Sequence, residues 1–141
     1  MVHDYGPGRQ FASLHVEMDY KADPLQCHAL IDDMERECLQ SHNIHLVIHY
    51  DPVITDDPDL TRLQEQTRRL LSQMDERLQL HDFRMVRGSG HTNLVFDVSQ
   101  PPEWKGKEQT IRHDLETKLT EQEGINIYTV ITFDPISFNE L

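Results

Sequence analysis

Residues 43–52, NIHLVIHYDP, alternate between apolar and polar side chains and therefore predict a β-strand with two unlike faces. The face expected to pack on a core carries Ile44, Leu46, Ile48 and Tyr50. On the other face, His49 and Asp51 are same-side neighbours about 7 Å apart along the strand. An imidazole beside a carboxylate is a ready pair of ligands for a divalent cation such as Zn²⁺. The alternative is an edge strand that simply presents polar residues to water.

The composition of this 141-residue chain fits one domain of ordinary size or two very small ones. Hydrophobic residues make up 37% and charged residues 27%, as is typical of a soluble globular protein. The formal net charge of −12 argues against nucleic acid as a partner and is compatible with the attraction of cations. No apolar run approaches the roughly 18 residues that span a bilayer, and no signal peptide is recognisable.

Nine histidines are the one functional hint in the composition. The two cysteines, Cys27 and Cys38, lie on one predicted helix about three turns apart, too far to form a disulfide with each other. We therefore expect two reduced thiols and a cytosolic setting.

Periodicity along the rest of the chain predicts an alternation of strands and helices. Asp23 and Pro24 form a typical helix start, and three acidic residues around Pro58 form another. The predicted strands are 2–5, 11–20, 43–52, 80–87, 92–98 and 125–134, and the predicted helices are 24–41, 56–79 and 107–122.

The predicted elements repeat as strand-strand-helix-strand, a connecting helix, and strand-strand-helix-strand again. Residues 14–18 resemble residues 94–98, and residues 47–53 resemble residues 130–136. We therefore predict an α/β (α+β) fold of two tandem repeats, ferredoxin-like or metallochaperone-like in order. The predicted division is a first unit at 1–56, a connecting helix at 57–79 and a second unit at 80–141.

Aligning the two repeats by sequence places Val95 at the position of His15, Thr132 at that of His49 and Asp134 at that of Asp51. The first copy thus carries ligand-type residues that the second lacks. We expect one metal-binding copy and one copy that is only a scaffold.

His3-Asp4, residues 14–17, Gln26 with His28, and residues 48–52 together resemble the cytosolic C-terminal domain of cation diffusion facilitator transporters. The resemblance covers about residues 1–56. It implies a metallochaperone-like unit that follows the membrane helices of the parent transporter. Such a unit forms a homodimer and binds Zn²⁺ or a related cation between protomers, which regulates export from the cytoplasm.

Carried over position by position, the resemblance implies a divalent-metal site whose ligands are His15, His28, His49 and Asp51. Zinc is the first candidate, and Mn, Fe, Co and Ni remain open because geometry and supply decide among them. His3 lies only twelve residues before His15, where the family has about sixteen, so its equivalence is open. His45 lies too far along its strand from Asp51 to share an ion with it.

The sequence has no nucleophile elbow, P-loop, GxGxxG or HExxH motif, and we do not expect an enzyme. Two alternatives stay open. One is a ferredoxin-like oligomerisation or effector-binding domain whose histidines have no metal role. The other is a small metalloenzyme in which Glu17 is the general base.

Overall fold

The computed structural model describes residues 1–8 and 10–136. In these residues the protein has an α+β fold with two three-stranded sheets and three α-helices, which confirms the predicted fold class. The chain divides into two compact units, unit 1 at Met1–Val53 and unit 2 at Ile54–Leu141. Residues 137–141 of the predicted second repeat lie outside the described residues.

Unit 1 contains one sheet and one helix. The sheet has the order β1-β2-β3, with β1 antiparallel to β2 and β2 parallel to β3. The helix α1 supplies the crossover that two parallel neighbours need. It begins as predicted, with the Asp23 carboxylate accepting from the Leu25 N–H and Pro24 in the first turn. The elements are β1 (Val2–Asp4), β2 (Gln10–Asp19), α1 (Pro24–His42) and β3 (Ile44–Val53).

Unit 2 has the same strand order and pairing, β4-β5-β6, with a bulge in β4 between His81 and Arg84. It also has a helix that precedes its first strand. The elements are α2 (Pro58–Met74), β4 (Gln79–Arg87), β5 (His91–Gln100), a 3₁₀ turn (Pro102–Trp104), α3 (Glu108–Glu123) and β6 (Asn126–Pro135). The helix predicted as a connection therefore lies within unit 2.

The predicted extension of this helix to residue 79 is wrong, because α2 ends at Met74. Asp75 takes an extended conformation, and its carboxylate accepts from Trp104 Nε1 at 3.0 Å and from the Arg77 guanidinium at 2.9 Å. These bonds, the one from Arg77 foremost, hold the pKa of the Asp75 carboxyl well below its ordinary value. Leu78 is still buried, but from the turn that follows the helix.

The largest described core lies in unit 2, where α2 and α3 pack beside one another and bury apolar side chains with the sheet. Its fully buried members include Leu71, Met85, Leu94, Phe96, Ile111, Leu115 and Leu119. The buried hydrophobic residues described in unit 1 are Cys27, Ile31, Ile48 and Val53. Among the described residues, no helix combines the length and apolar character that crossing a membrane requires.

Candidate metal centre

The parallel pairing of β2 with β3 brings the predicted ligands of the two strands together. His15 lies directly opposite His49, and Glu17 lies opposite Asp51. The imidazole rings of His15 and His49 stack with their centroids 5.2 Å apart and their planes 30° apart. His15 Nδ1 lies 3.4 Å from Asp51 Oδ2, where a protonated Nδ1 donates to the carboxylate.

His28 approaches the same place from α1. It lines an open pocket of about 540 Å³, which we call the edge pocket, together with His15, Ile31, Asp32, Glu35, Ile48, His49, Tyr50 and Asp51. Successive residues of an edge strand point to opposite faces, so a pocket lined by residues 48–51 follows the outer edge of β3. All four predicted ligands therefore line one pocket, three from the sheet and one from the helix.

The side chains of the edge pocket are accessible. The His15 side chain is 69% exposed and the Asp51 side chain 47% exposed. A contact this exposed contributes at most about 1 kcal/mol to stability. The contact between His15 and Asp51 thus leaves both side chains free to rotate toward a ligand from solvent.

The present side-chain arrangement is not a preformed metal cage. Across residues 1–8 and 10–136, no group of three or more His, Cys, Asp or Glu side chains is placed to hold a metal ion. Zinc takes about four ligands at 2.0–2.2 Å for nitrogen and oxygen donors. Cation binding would therefore require these side chains to move from their present positions.

The other two histidines of the sheet in unit 1 are engaged elsewhere. His45 stacks on Phe11 with ring centroids 5.0 Å apart, and His3 lies opposite Phe11 on β1 with Tyr5 as a ring neighbour. Neither lines the edge pocket. The structure thus separates His3 and His45 from the four predicted ligands.

The pairing in unit 2 corrects the predicted alignment of the repeats. With Leu94 taken as the equivalent of Leu14, the residue at the position of His49 is Val130 and the residue at the position of Asp51 is Thr132. The predicted equivalences of His49 with Thr132 and of Asp51 with Asp134 are therefore wrong by two residues. The shared Asp-Pro pair marks the end of each strand, whereas backbone pairing fixes the register. His15, His49 and Asp51 all correspond to residues that do not bind metal well.

Two acidic residues of the edge pocket were missed from the sequence. Asp32 pairs with Arg36 at 2.9 Å, and Glu35 Oε1 accepts from the backbone N–H of Ile48 at 2.9 Å. Glu35 follows Ile31 by four residues and Cys27 by eight, so it lies on the buried stripe of α1. A carboxylate within an apolar stripe is the signal that could have identified it.

No protein-family model, curated protein or solved structure matches this chain. The resemblance to the cation diffusion facilitator domain accordingly rests on the quoted residues alone. Its implications for metal, partner and transport stay predictions.

Proposed function

We propose that unit 1 is a divalent-cation-binding regulatory domain of a cation efflux transporter. The observation that carries the proposal is that His15, His28, His49 and Asp51 all line the edge pocket. These residues come from β2, α1 and β3, so a bound ion would link three elements that are distant in sequence.

The donor set favours a borderline transition metal over a hard cation. Imidazole nitrogens suit Zn²⁺, Fe²⁺, Co²⁺ and Ni²⁺, whereas Ca²⁺ and Mg²⁺ prefer all-oxygen sites. Zinc is the first candidate because three imidazoles and one carboxylate supply the four ligands of a tetrahedral site. Mn²⁺ remains open because one donor is a carboxylate. The net charge of −12 raises the local concentration of any of these cations.

Regulation would follow from unequal affinity for two conformations. A bound ion would join elements of one chain or the two copies of a homodimer. It would favour the compact conformation to the extent that it binds that conformation more tightly than the open one. On the resemblance, this state would control export by the transmembrane domain of the parent transporter from the cytoplasmic side.

Calorimetric titration of Zn²⁺ into chelator-treated protein tests the proposal, with sedimentation before and after. We expect micromolar binding that is lost in His49→Ala and in Asp51→Ala. His45→Ala is the matched control, because His45 is a histidine of the same strand that lies outside the edge pocket. Binding by both pocket variants at the affinity of the parent protein would show that the site is wrongly assigned.

The second candidate is a ferredoxin-like oligomerisation or effector-binding domain with no metal role. It is favoured by the lack of a preformed group of three ligands in the described part of the chain. It is also favoured by the exposed apolar side chains of Tyr5, Phe11 and Val47. This candidate predicts the same self-association in zinc and in chelator, which the sedimentation measurement decides.

A further inference from the structure

Glu35 holds the outer edge of β3 at one backbone position. Its Oε1 accepts from the Ile48 N–H at 2.9 Å, and its side chain is half-buried. β3 is an edge strand, so an outward-pointing N–H has no neighbouring strand to bond. The Glu35 side-chain oxygen therefore gives this N–H an acceptor where the sheet supplies none.

Unit 2 makes the same contact at the equivalent position. Glu116 of α3 accepts from the Thr129 N–H at 2.8 Å and from the Thr129 hydroxyl at 2.9 Å. Thr129 lies opposite Leu94 as Ile48 lies opposite Leu14, and each glutamate precedes its partner by thirteen residues. Because unit 2 has Val130 where unit 1 has His49, the glutamate contact is part of the fold and is independent of a metal ligand.

In unit 1 the same contact lies beside the cation site. Ile48 directly precedes His49, and Glu35 itself lines the edge pocket. Fixing the Ile48 peptide fixes the twist of β3 through His49 and Asp51, and hence their direction toward His15. Partners that hydrogen-bond a metal ligand directly change metal affinity by about tenfold to a hundredfold when they are mutated. Because Glu35 acts through the backbone next to the ligand, we expect an effect at the lower end of that range.

We propose that Glu35 is a positioning residue for the cation site: it orients His49 and Asp51 through its hydrogen bond to the Ile48 N–H and does not bind the ion. The proposal rests on the proposed function. Its rival is that Glu35, with a carboxylate in the edge pocket, is itself a ligand or a source of negative charge.

Two substitutions at Glu35 distinguish the effect of side-chain length from the effect of charge. Glu35→Gln keeps the side-chain length and an acceptor oxygen but removes the charge. Glu35→Asp keeps the charge but is one methylene too short to reach the Ile48 N–H from the same helix position. Zinc affinity is measured by calorimetry, and hydrogen exchange of the Ile48 amide reports the bond itself.

We expect Glu35→Gln to bind Zn²⁺ within about threefold of the parent protein and to keep the Ile48 amide protected. Glu35→Asp should bind about tenfold or more weakly and expose that amide. The matched control is Glu116→Asp in unit 2, which should expose the Thr129 amide and leave zinc affinity unchanged.

The reverse pattern, with Glu35→Gln weak and Glu35→Asp unaffected, would show that the charge acts on the ion and would overturn the proposal. Equal loss of zinc affinity in both variants, with the Ile48 amide still protected in Glu35→Gln, would show that Glu35 acts on the ion itself and would overturn the proposal. No loss of affinity in either variant would show that the bond does not matter to the site and would also overturn it. If the parent protein binds no divalent cation, the proposed function fails and the proposal fails with it. This outcome is distinguishable from the others because it is seen in the parent protein, without any substitution.

Discussion

Units 1 and 2 share one strand order and one pairing scheme but differ in how far each buries its helix-facing side. Leu14 is 40% exposed, whereas its equivalent Leu94 is fully buried. Leu30, five residues before Glu35, is 54% exposed, whereas Ile111, five residues before Glu116, is fully buried. The same positions are thus core in one unit and surface in the other.

The difference follows from α2, which contacts both β4 and α3 within unit 2. Within the described residues of unit 1, α1 is the one helix that covers the sheet, and it contacts mainly β3. A ββαβ sheet can therefore keep its topology without a complete core. Polar residues then remain available on the less buried unit, where the edge pocket lies.

Among the substitutions we consider, those at the paired leucines Leu14 and Leu94 should change stability most. Leu94→Ala should cost unit 2 about 2–5 kcal/mol, because it leaves a cavity in a packed core. Leu14→Ala should cost unit 1 about 1 kcal/mol or less, since much of that side chain already meets water. Native-state hydrogen exchange of amides in β5 and in β2 measures the two costs separately. Equal costs would mean that Leu14 is covered in solution by something beyond unit 1.

The three predicted metal ligands on the strands of unit 1 can be transferred to unit 2 by substitution. In the pairing register, V95H, V130H and T132D together reproduce His15, His49 and Asp51 in unit 2. Made in a His49→Ala background, this triple variant should regain zinc binding, more weakly than the parent because no equivalent of His28 is added. The control is V95H with T132H, which follows the sequence alignment and uses the native Asp134. Zinc binding by the control alone, measured by calorimetry, would contradict the register derived from strand pairing.

A weaker change is expected at Asp97, which occupies in unit 2 the position of Glu17. Burial raises the pKa of Asp97, and the carboxylates of Asp82 and Asp134 raise it further. A raised pKa in the folded state means that the wild type loses stability as pH rises from the ordinary carboxyl pKa through the folded value. Asp97→Asn should therefore stabilise unit 2 slightly at neutral pH, because the partly exposed position of Asp97 screens the effect.

This gain should vanish below the ordinary carboxyl pKa, where Asp97 is protonated in both states. Urea unfolding, followed by the fluorescence of Trp104, measures this gain in the stability of unit 2. Trp104 is the one tryptophan of the sequence. A gain that is equal at acidic and neutral pH would indicate a packing effect in place of a titration.

Most elements were predictable because their signals are local. Alternation defined the strands, and Asp23 with Pro24 defined the start of α1. The end of α2 was not predictable, because it depends on Trp104, a residue that reaches Asp75 from far along the chain. The burial of equivalent leucines was also beyond the sequence, since Leu14 and Leu94 are the same residue in similar strands.

The residues of the candidate site were predictable from the sequence, but their spatial arrangement was not. The spacing of His49 and Asp51 and the resemblance selected residues that all line the edge pocket. The register of β6 and the role of Glu35 were not predictable. The register depends on backbone pairing, which leaves no distinct pattern in residue types. The carboxylate of Glu35 within the apolar stripe of α1 marks the residue, but it does not reveal the bond to the Ile48 N–H.

The parallel pairing of β2 with β3 has a consequence for the order of folding. His15 and His49 are thirty-four residues apart, so they meet only after the whole α1 crossover has closed. Closing such a loop costs more entropy than closing a local hairpin, such as β1 with β2. An ion held by both strands would bind the closed state and not the open chain. The cation would therefore stabilise the crossover only late in folding. It would slow the unfolding of unit 1 more than it would speed its folding.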